Sequence, residues 1–374
     1  MSEVALFSTL NDPMAATRRA IDAVCSAEAL FAAKRVLVKP GYGGVLVEAE
    51  LVRGVVTRLL EAGARVTVGE AAFSDGPEKM TERFEKSGAR VLCQQLGVPL
   101  VDLNADEEVK VDVGGVTGVV GIARTALEAE AIVNVAHLHN HPQTLATLAL
   151  KNIKGIMGRD QKKLVHRRGL ERGIVDLNDR FPSALGIIDA VYGVDLRSRQ
   201  DPMPMNLVAA STDLVALDAV GCRLMGYDPA RVKHVTLAAR QGLGSLTDIR
   251  VLGEDVEAHA RQFSDPRGPL NFLRYQIELL ADDACSGCYT YLREAYRSLP
   301  PGFDEQMPDI LAYVGPTVAR RERAGKREMA VGDCAARRLG DVPAARGCPP
   351  DMETLVEALK EVASCSDVPS PDAP

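Results

Sequence analysis

Four cysteines late in the chain, Cys285, Cys288, Cys334 and Cys348, stand in turns that carry Gly or Pro: CSGC, GDCA and GCPP. Four thiolates are the donor set of a 4Fe-4S cluster or a structural zinc, because soft sulfur satisfies tetrahedral iron or zinc. Turns suit a cluster, whose sulfides accept from backbone N–H groups, and glycine lets that backbone come close. A thioredoxin-like dithiol would place its CxxC after an early strand, whereas this one is late and has two further cysteines beyond it. A structural zinc more often uses two CxxC knuckles, and Cys334 and Cys348 are too far apart to form the second. The 4Fe-4S cluster is therefore the expected cofactor, with zinc as the alternative. Cys25, Cys93 and Cys222 have apolar neighbours and read as small buried side chains. Cys365 falls at the end of the last helix.

The second constellation is VNVAHLHNHPQTLATLALKNIKGIMG. His137, His139 and His141 come at the end of a strand, where α/β folds place their sites, and strand alternation would put all three on one face. Lys151, Asn152 and Lys154 follow, and His166 comes next in KKLVHRR. Such a group can bind an anion, move a proton or hold a metal. Its bland alternative is a solvated basic loop with packed histidines. KPGYGG, which begins at Lys39, is similar to a phosphate-holding turn but lacks both the dinucleotide fingerprint and the P-loop ending. Asp213 reads as an N-terminal-turn aspartate and Asp218 as an inward-facing carboxylate on the same helix. His234 and His259 lie in surface-like helical sequence.

These residues need a scaffold, and the sequence supplies an α/β one. EVALFS, RVLVKP, ARVTVGE, EAIVNVAH and SALGIIDAVYG read as strands. Between them lie amphipathic helices, such as the one from Glu48 to Ala62 with Leu51, Val52, Val55, Leu59 and Leu60 on one face. Asn11-Asp12-Pro13 starts a helix, Gly63 ends one, and Val113 to Ile122 reads as a hairpin. The alternation predicts a largely parallel, wrapped sheet with helices on both faces, followed by a smaller C-terminal α/β cysteine module. The α/β domain is expected over 1–262, the cysteine module over 263–366 and a disordered tail over 367–374. In the module, LNFLRYQIELL reads as an apolar helix and DILAYVG as a strand. A last amphipathic helix carries Leu355, Leu359 and Val362.

Composition narrows the function classes. A chain of 374 residues with 25% charged side chains and net charge −7 lacks the dense basic run of a nucleic-acid binder. Trp is absent and aromatics make up 4%, which weakens any base-stacking scheme. No secretory leader and no apolar run long enough to span a bilayer is evident, so a cytoplasmic location and no membrane partner are expected.

VLVKPGYGG, LLEAGARVTVGE, the His/Lys stretch, IIDAVYGV and STDLVALDAVGCRLMG follow one another as in the domain-of-unknown-function family 362, which the chain resembles from about Val36 to Glu254. Many members of that family are described as iron–sulfur cluster-binding proteins. The cysteine motifs resemble the C-terminal extension of a subset of them. His141, Lys151, Asn152, Lys154 and His166 match the family pattern and carry over as candidate site residues. His137 and His139 stand where members commonly have Lys, and Gly41 where they commonly have Asn.

The combined expectation is a redox protein in which Cys285, Cys288, Cys334 and Cys348 hold a 4Fe-4S cluster. Electrons would pass between it and a small anionic substrate or a redox partner protein. Lys39, His137, His139, Asn152 and Lys154 would bind the substrate, and His141, Lys151 and His166 would do the chemistry. Two alternatives remain: a non-redox isomerase or lyase acting on a small anion with the cysteines on zinc, and a non-catalytic electron carrier.

Overall fold

Short β-branched runs followed by helices with one apolar stripe build most of the chain up to Ser264. The computed structural model describes residues 1–43, 45–71, 77–141, 143–195, 202–265, 277–281, 284, 288, 291–292, 295–296, 298–299, 308–321 and 325–364. Cys285, Tyr289, Cys365 and the expected disordered tail lie outside the described residues. The chain divides into two units. The first comprises Met1–Asn140, Ala146–Leu196 and Gln200–Ser264; the second comprises His141–Leu145, Arg197–Arg199 and Asp265–Pro374. The division near Ser264 falls within the polar stretch where the sequence turns from one composition to another. His141 belongs with the second unit.

The first unit contains strands β1 (Ser2–Ser8), β2 (Arg35–Pro40), β3 (Arg65–Glu70), β4 (Leu100–Asp102), β5 (Glu108–Asp112), β6 (Val119–Ala123) and β7 (Ala131–His141, whose last residue groups with the second unit). They are followed by β8 (Leu145–Thr147, whose first residue groups with the second unit), β9 (Leu185–Val194), β10 (Met203–Ser211) and β11 (Ile249–Gly253). Its helices are α1 (Pro13–Val24), α2 (Ala27–Phe31), α3 (Ala49–Glu61), α4 (Pro77–Lys86), α5 (Ala89–Leu96) and α6 (Arg124–Glu128). Then come α7 (Ala149–Asn152), α8 (Arg159–Arg180), α9 (Leu214–Leu224), α10 (Lys233–Arg240) and α11 (Val256–His259). The sheet order is β11-β1-β10-β9-β7-β2-β3-β4. Along this order pairing is parallel except where β10 runs antiparallel to β1 and to β9, and β8 pairs with β7 off the path. β5 and β6 form the antiparallel hairpin expected around Val113 to Ile122.

Strand alternation sends side chains to two separate cores. Val36, Val38, Val133 and Val135 face one core with Leu51, Val55 and Leu59 of α3. Leu37 and Ile132 face the other with Ile153, Ile156 and Val165. Helices therefore cover both faces, as the sequence predicts. Asp12 caps α1 through a 2.9 Å bond from Ala15 N, with Pro13 at the first helical position. Among the described residues no helix is long and apolar enough to cross a membrane.

The second unit contains a parallel sheet of β12 (Ile277–Ala281), β13 (Ile310–Val314), β14 (Arg327–Val331) and β15 (Ala344–Ala345), in that order. Helices α12 (Gly332–Leu339) and α13 (Met352–Ser364) flank it. Leu355, Leu359 and Val362 of α13 are buried, as their spacing implies. LNFLRYQIELL departs from expectation at its end, where Ile277 to Leu280 belong to strand β12, while its residues 270–276 lie outside the described residues. A short apolar run fits either periodicity, and pairing with β13 decides it.

Candidate functional site

The C-terminal ends of β2 and β3 present a buried ion pair. Lys39 Nζ donates to Glu70 Oε2 at 2.6 Å and to Asn152 Oδ1 at 2.7 Å. Glu70 also accepts from Ala71 N at 2.8 Å and Tyr42 N at 3.3 Å. Lys39 and Tyr42 of the KPGYGG motif therefore hold a carboxylate of the protein itself, and Gly41 N donates to the Val135 carbonyl at 2.8 Å. Gly155 lies flat on the pair: a Cβ there would come within 2.0 Å of Lys39 Cε and 2.1 Å of Glu70 Oε1.

Asn152 links this pair to the neighbouring strand. Its Nδ2 donates to Asn134 Oδ1 at 2.7 Å, and Asn134 Nδ2 donates to the Ala149 carbonyl at 2.9 Å. Asp218 fixes the start of α7 from below, accepting from Ala149 N at 2.8 Å and Leu150 N at 3.0 Å. Burial pushes the Asp218 carboxyl up to about 8, against the two N–H bonds that favour its charged form. This held segment carries Lys151, Asn152 and Lys154.

Helix α8 adds Lys162 and His166. Lys162 Nζ donates to the Ala71 carbonyl, and burial pushes its pKa down to about 7, with Glu70 opposing and Lys39 reinforcing the shift. Lys154 Nζ stands 2.6 Å from His166 Nε2, which makes His166 the acceptor with its own proton on Nδ1. Burial, then Lys154, Lys151 and Lys162, hold His166 well below its ordinary pKa. Burial and Lys154 do the same to Lys151, whose Nζ donates to Thr147 Oγ1 at 3.4 Å.

The histidines of HLHNH separate. The pairing of β7 with β9 shifts register between His137 and His139, so the alternation expected to align all three is broken. His137 sits opposite Asp189 in that register, and burial lowers its pKa to about 4. His139 Nδ1 donates to the His137 carbonyl at 3.1 Å; burial, then His137 and Lys151, lower its pKa to about 3. His141 Nδ1 accepts from Gln143 N and Thr144 N, each at 3.2 Å, so a neutral ring keeps its proton on Nε2. In the first unit, then, Lys39, Lys151, Asn152, Lys154 and His166 come together, with His139 at the Lys151 side. Glu70, Lys162 and Asn134 complete the group. His234, expected at the surface, is fully buried in α10 and also feels Lys151.

The cysteine turns follow strands of the second unit. Cys288 comes after β12, Cys334 opens α12 directly after β14, and Cys348 comes after β15. Asp333 N donates to the Gly347 carbonyl at 2.9 Å, and Gly347 N donates to Asp333 Oδ1 at 2.9 Å. That reciprocal pair ties the GDCA turn to the GCPP turn. Cys288 is buried, and a Cβ on Gly332 (φ +87°) would stand 2.6 Å from its Sγ. Cysteine sulfurs beside glycines are the donor type that a 4Fe-4S cluster or a zinc ion takes. Among the described residues, which exclude Cys285, no three His, Cys, Asp or Glu side chains form a metal-holding group.

The sequence model of a domain of unknown function, DUF362, matches residues 36–223. The chain belongs to the DUF362 family. A thylakoid-associated protein of Synechocystis is 25% identical over 206 residues, which is 52% of this chain and 61% of the relative. The chain thus matches less than two thirds of that relative's length. The lactate racemase apoprotein of Thermoanaerobacterium thermosaccharolyticum is similar at 14% identity and a TM-score of 0.38, over 60% of this chain and 57% of that one. In this DUF362 protein the family match takes in Lys39, Glu70, Lys151, Asn152, Lys154, Lys162, His166 and Asp218. His234 and the cysteine turns lie beyond it.

Proposed function

We propose that this DUF362 protein is an iron–sulfur protein of redox function. Its first unit binds a small anion at the Lys/His site, and its second unit holds a 4Fe-4S cluster on Cys285, Cys288, Cys334 and Cys348. The observation that carries the reading is the Cys288 Sγ lying against Gly332, beside a GDCA turn hydrogen-bonded to the GCPP turn. Cys288, Cys334 and Cys348 come after β12, β14 and β15, three strands of one parallel sheet, and open α/β sheets take ligands beyond the C-terminal ends of their strands. When bound, the cluster supplies one-electron transfer to or from a substrate or partner protein.

The chain's own residues do the remaining work. Lys151 and Lys154 attract and hold the anion. His166 is neutral and hydrogen-bonded to Lys154, so it exchanges a proton with the ligand through that ammonium. Glu70 and Asn152 fix the Lys39 ammonium and set the floor of the site. Cysteines kept as thiolate ligands fit a reducing compartment, and we assign the protein to the cytoplasm on that ground.

Anaerobic purification with iron and acid-labile sulfide analysis, then EPR of the reduced protein, tests the assignment. About four irons and four sulfides per chain are expected. A colourless protein with stoichiometric zinc overturns the redox reading and favours an isomerase or lyase with structural cysteines.

A further inference from the structure

Helix α7 is a single turn, Ala149–Asn152, too short to keep its shape unaided. Side chains from other elements hold it. Asp218 of α9 accepts from Ala149 N at 2.8 Å and from Leu150 N at 3.0 Å. Asn134 of β7 donates from Nδ2 to the Ala149 carbonyl at 2.9 Å. Asn178 of α8 donates from Nδ2 to the Leu150 carbonyl at 2.8 Å, and to the Ile174 carbonyl of its own helix at 2.8 Å. Asp218, Asn134 and Asn178 are all buried. Nothing in LERGIVDLNDR sets Asn178 apart from the polar residues around it.

These bonds converge on the backbone either side of Lys151. Leu150, just before it, has both its N–H and its carbonyl bonded to side chains of other helices. Asn152, just after it, donates from Nδ2 to Asn134 Oδ1 at 2.7 Å and to the Val135 and Lys39 carbonyls at 3.2 and 3.3 Å. Lys151 therefore stands on a backbone fixed from both sides, with its Nζ reaching Thr147 Oγ1. Apolar packing could hold a turn without desolvating polar groups, whereas a satisfied buried polar network imposes one position. An ammonium already in place loses less freedom when an anion binds than one carried on a mobile turn.

We infer that Asn178 is a positioning residue of the anion site: its bond to the Leu150 carbonyl holds α7 so that the Lys151 ammonium is in place before an anion arrives. This rests on the anion-site reading above and adds a residue that pre-forms the site. Asn178 acts through Lys151 and not by touching the anion.

Asn178→Ser tests this in the full chain. A serine hydroxyl inside a helix bonds the carbonyl four residues back, here that of Ile174, and is too short to reach Leu150 as well. The variant thus removes the bond to α7 and keeps the one within α8. Timed acetylation with acetic anhydride, read by peptide mass spectrometry, follows each lysine with no anion present. Lys151 is expected to label at least about threefold faster in the variant, with Lys39 and Lys162 unchanged. Calorimetry with inorganic phosphate and with sulfate, as probe anions, is expected to show binding weakened by about three- to tenfold. An unchanged Lys151 rate overturns the positioning role, and so does an equal rise at all three lysines, which would report a loosened fold. Faster Lys151 labelling with unchanged anion affinity overturns it too, because the site then makes no use of the held turn. Binding of neither anion by the unsubstituted protein overturns the anion site itself, and the role of Asn178 with it.

Discussion

The Lys39 ammonium stands 2.6 Å from the Glu70 carboxylate, and the two side chains are only 1% and 2% exposed. Two charges this deep stabilise the fold only together, because removing one partner leaves the other desolvated and unanswered. Lys39→Met and Glu70→Gln are each expected to destabilise the protein by about 3–5 kcal/mol in urea unfolding. The double variant is expected to cost clearly less than the sum of the two. Additivity to within about 0.5 kcal/mol would show that the pair is not coupled.

Gly332 is needed for two separate reasons, its φ of +87° and its contact with Cys288 Sγ, 2.6 Å from where a Cβ would stand. Gly332→Ala costs about 1–2 kcal/mol for the left-handed backbone alone. The methyl group must also displace the Cys288 sulfur. Metal content per chain is expected to fall sharply, with the first unit's melting unchanged. Full metal content in Gly332→Ala protein would separate Cys288 from the thiolate site.

Sequence made the scaffold and part of each site legible, for identifiable reasons. Strand runs such as RVLVKP and the cap at Asp12-Pro13 depend on local chemistry, which survives in one dimension. Glu70 was hidden because it looks like a solvated strand end. Only the parallel register of β2 and β3, in which Val38 meets Val68, brings it to Lys39. Lys162 reads as one cation of the basic KK pair, and its burial depends on α8 bringing it to the Ala71 carbonyl just after β3. His234 was masked by its charged neighbours Arg231 and Lys233. The alternation of His137, His139 and His141 was visible, but the register shift that breaks it was not.

Acid stability reports on the buried histidines. Burial, with Lys151, lowers the His234 pKa to about 3 from an ordinary 6.5. Between those values the unfolded chain binds a proton that the native state refuses, so stability rises with pH and is complete above 6.5. His234→Gln is expected to reduce that slope by about 1.4 kcal/mol per pH unit between pH 4 and 6. Unfolding free energies across this range measure it; an unchanged slope would mean that His234 titrates in the native protein as it does in water.

Asp218 gives the opposite sign and joins stability to binding. Burial raises its folded pKa to about 8, above the ordinary 3.8, so the native state keeps a proton that the unfolded chain releases. Its contribution is fully present below about pH 4 and is lost as pH rises towards 8. Asp218→Asn cannot reproduce the bonds from Ala149 N and Leu150 N, because its amide group turns a donor towards one of them. A loss of about 1–3 kcal/mol is expected at pH 5, narrowing at pH 8. Since α7 carries Lys151 and Asn152, affinity for inorganic phosphate, used as a probe of the proposed anion site, should fall in the same variant while the cluster proposed for the second unit is retained. Melting at the two pH values, phosphate calorimetry and metal analysis give three independent readouts. Retained phosphate affinity in a destabilised Asp218→Asn protein would show that Asp218 supports the fold without positioning the site.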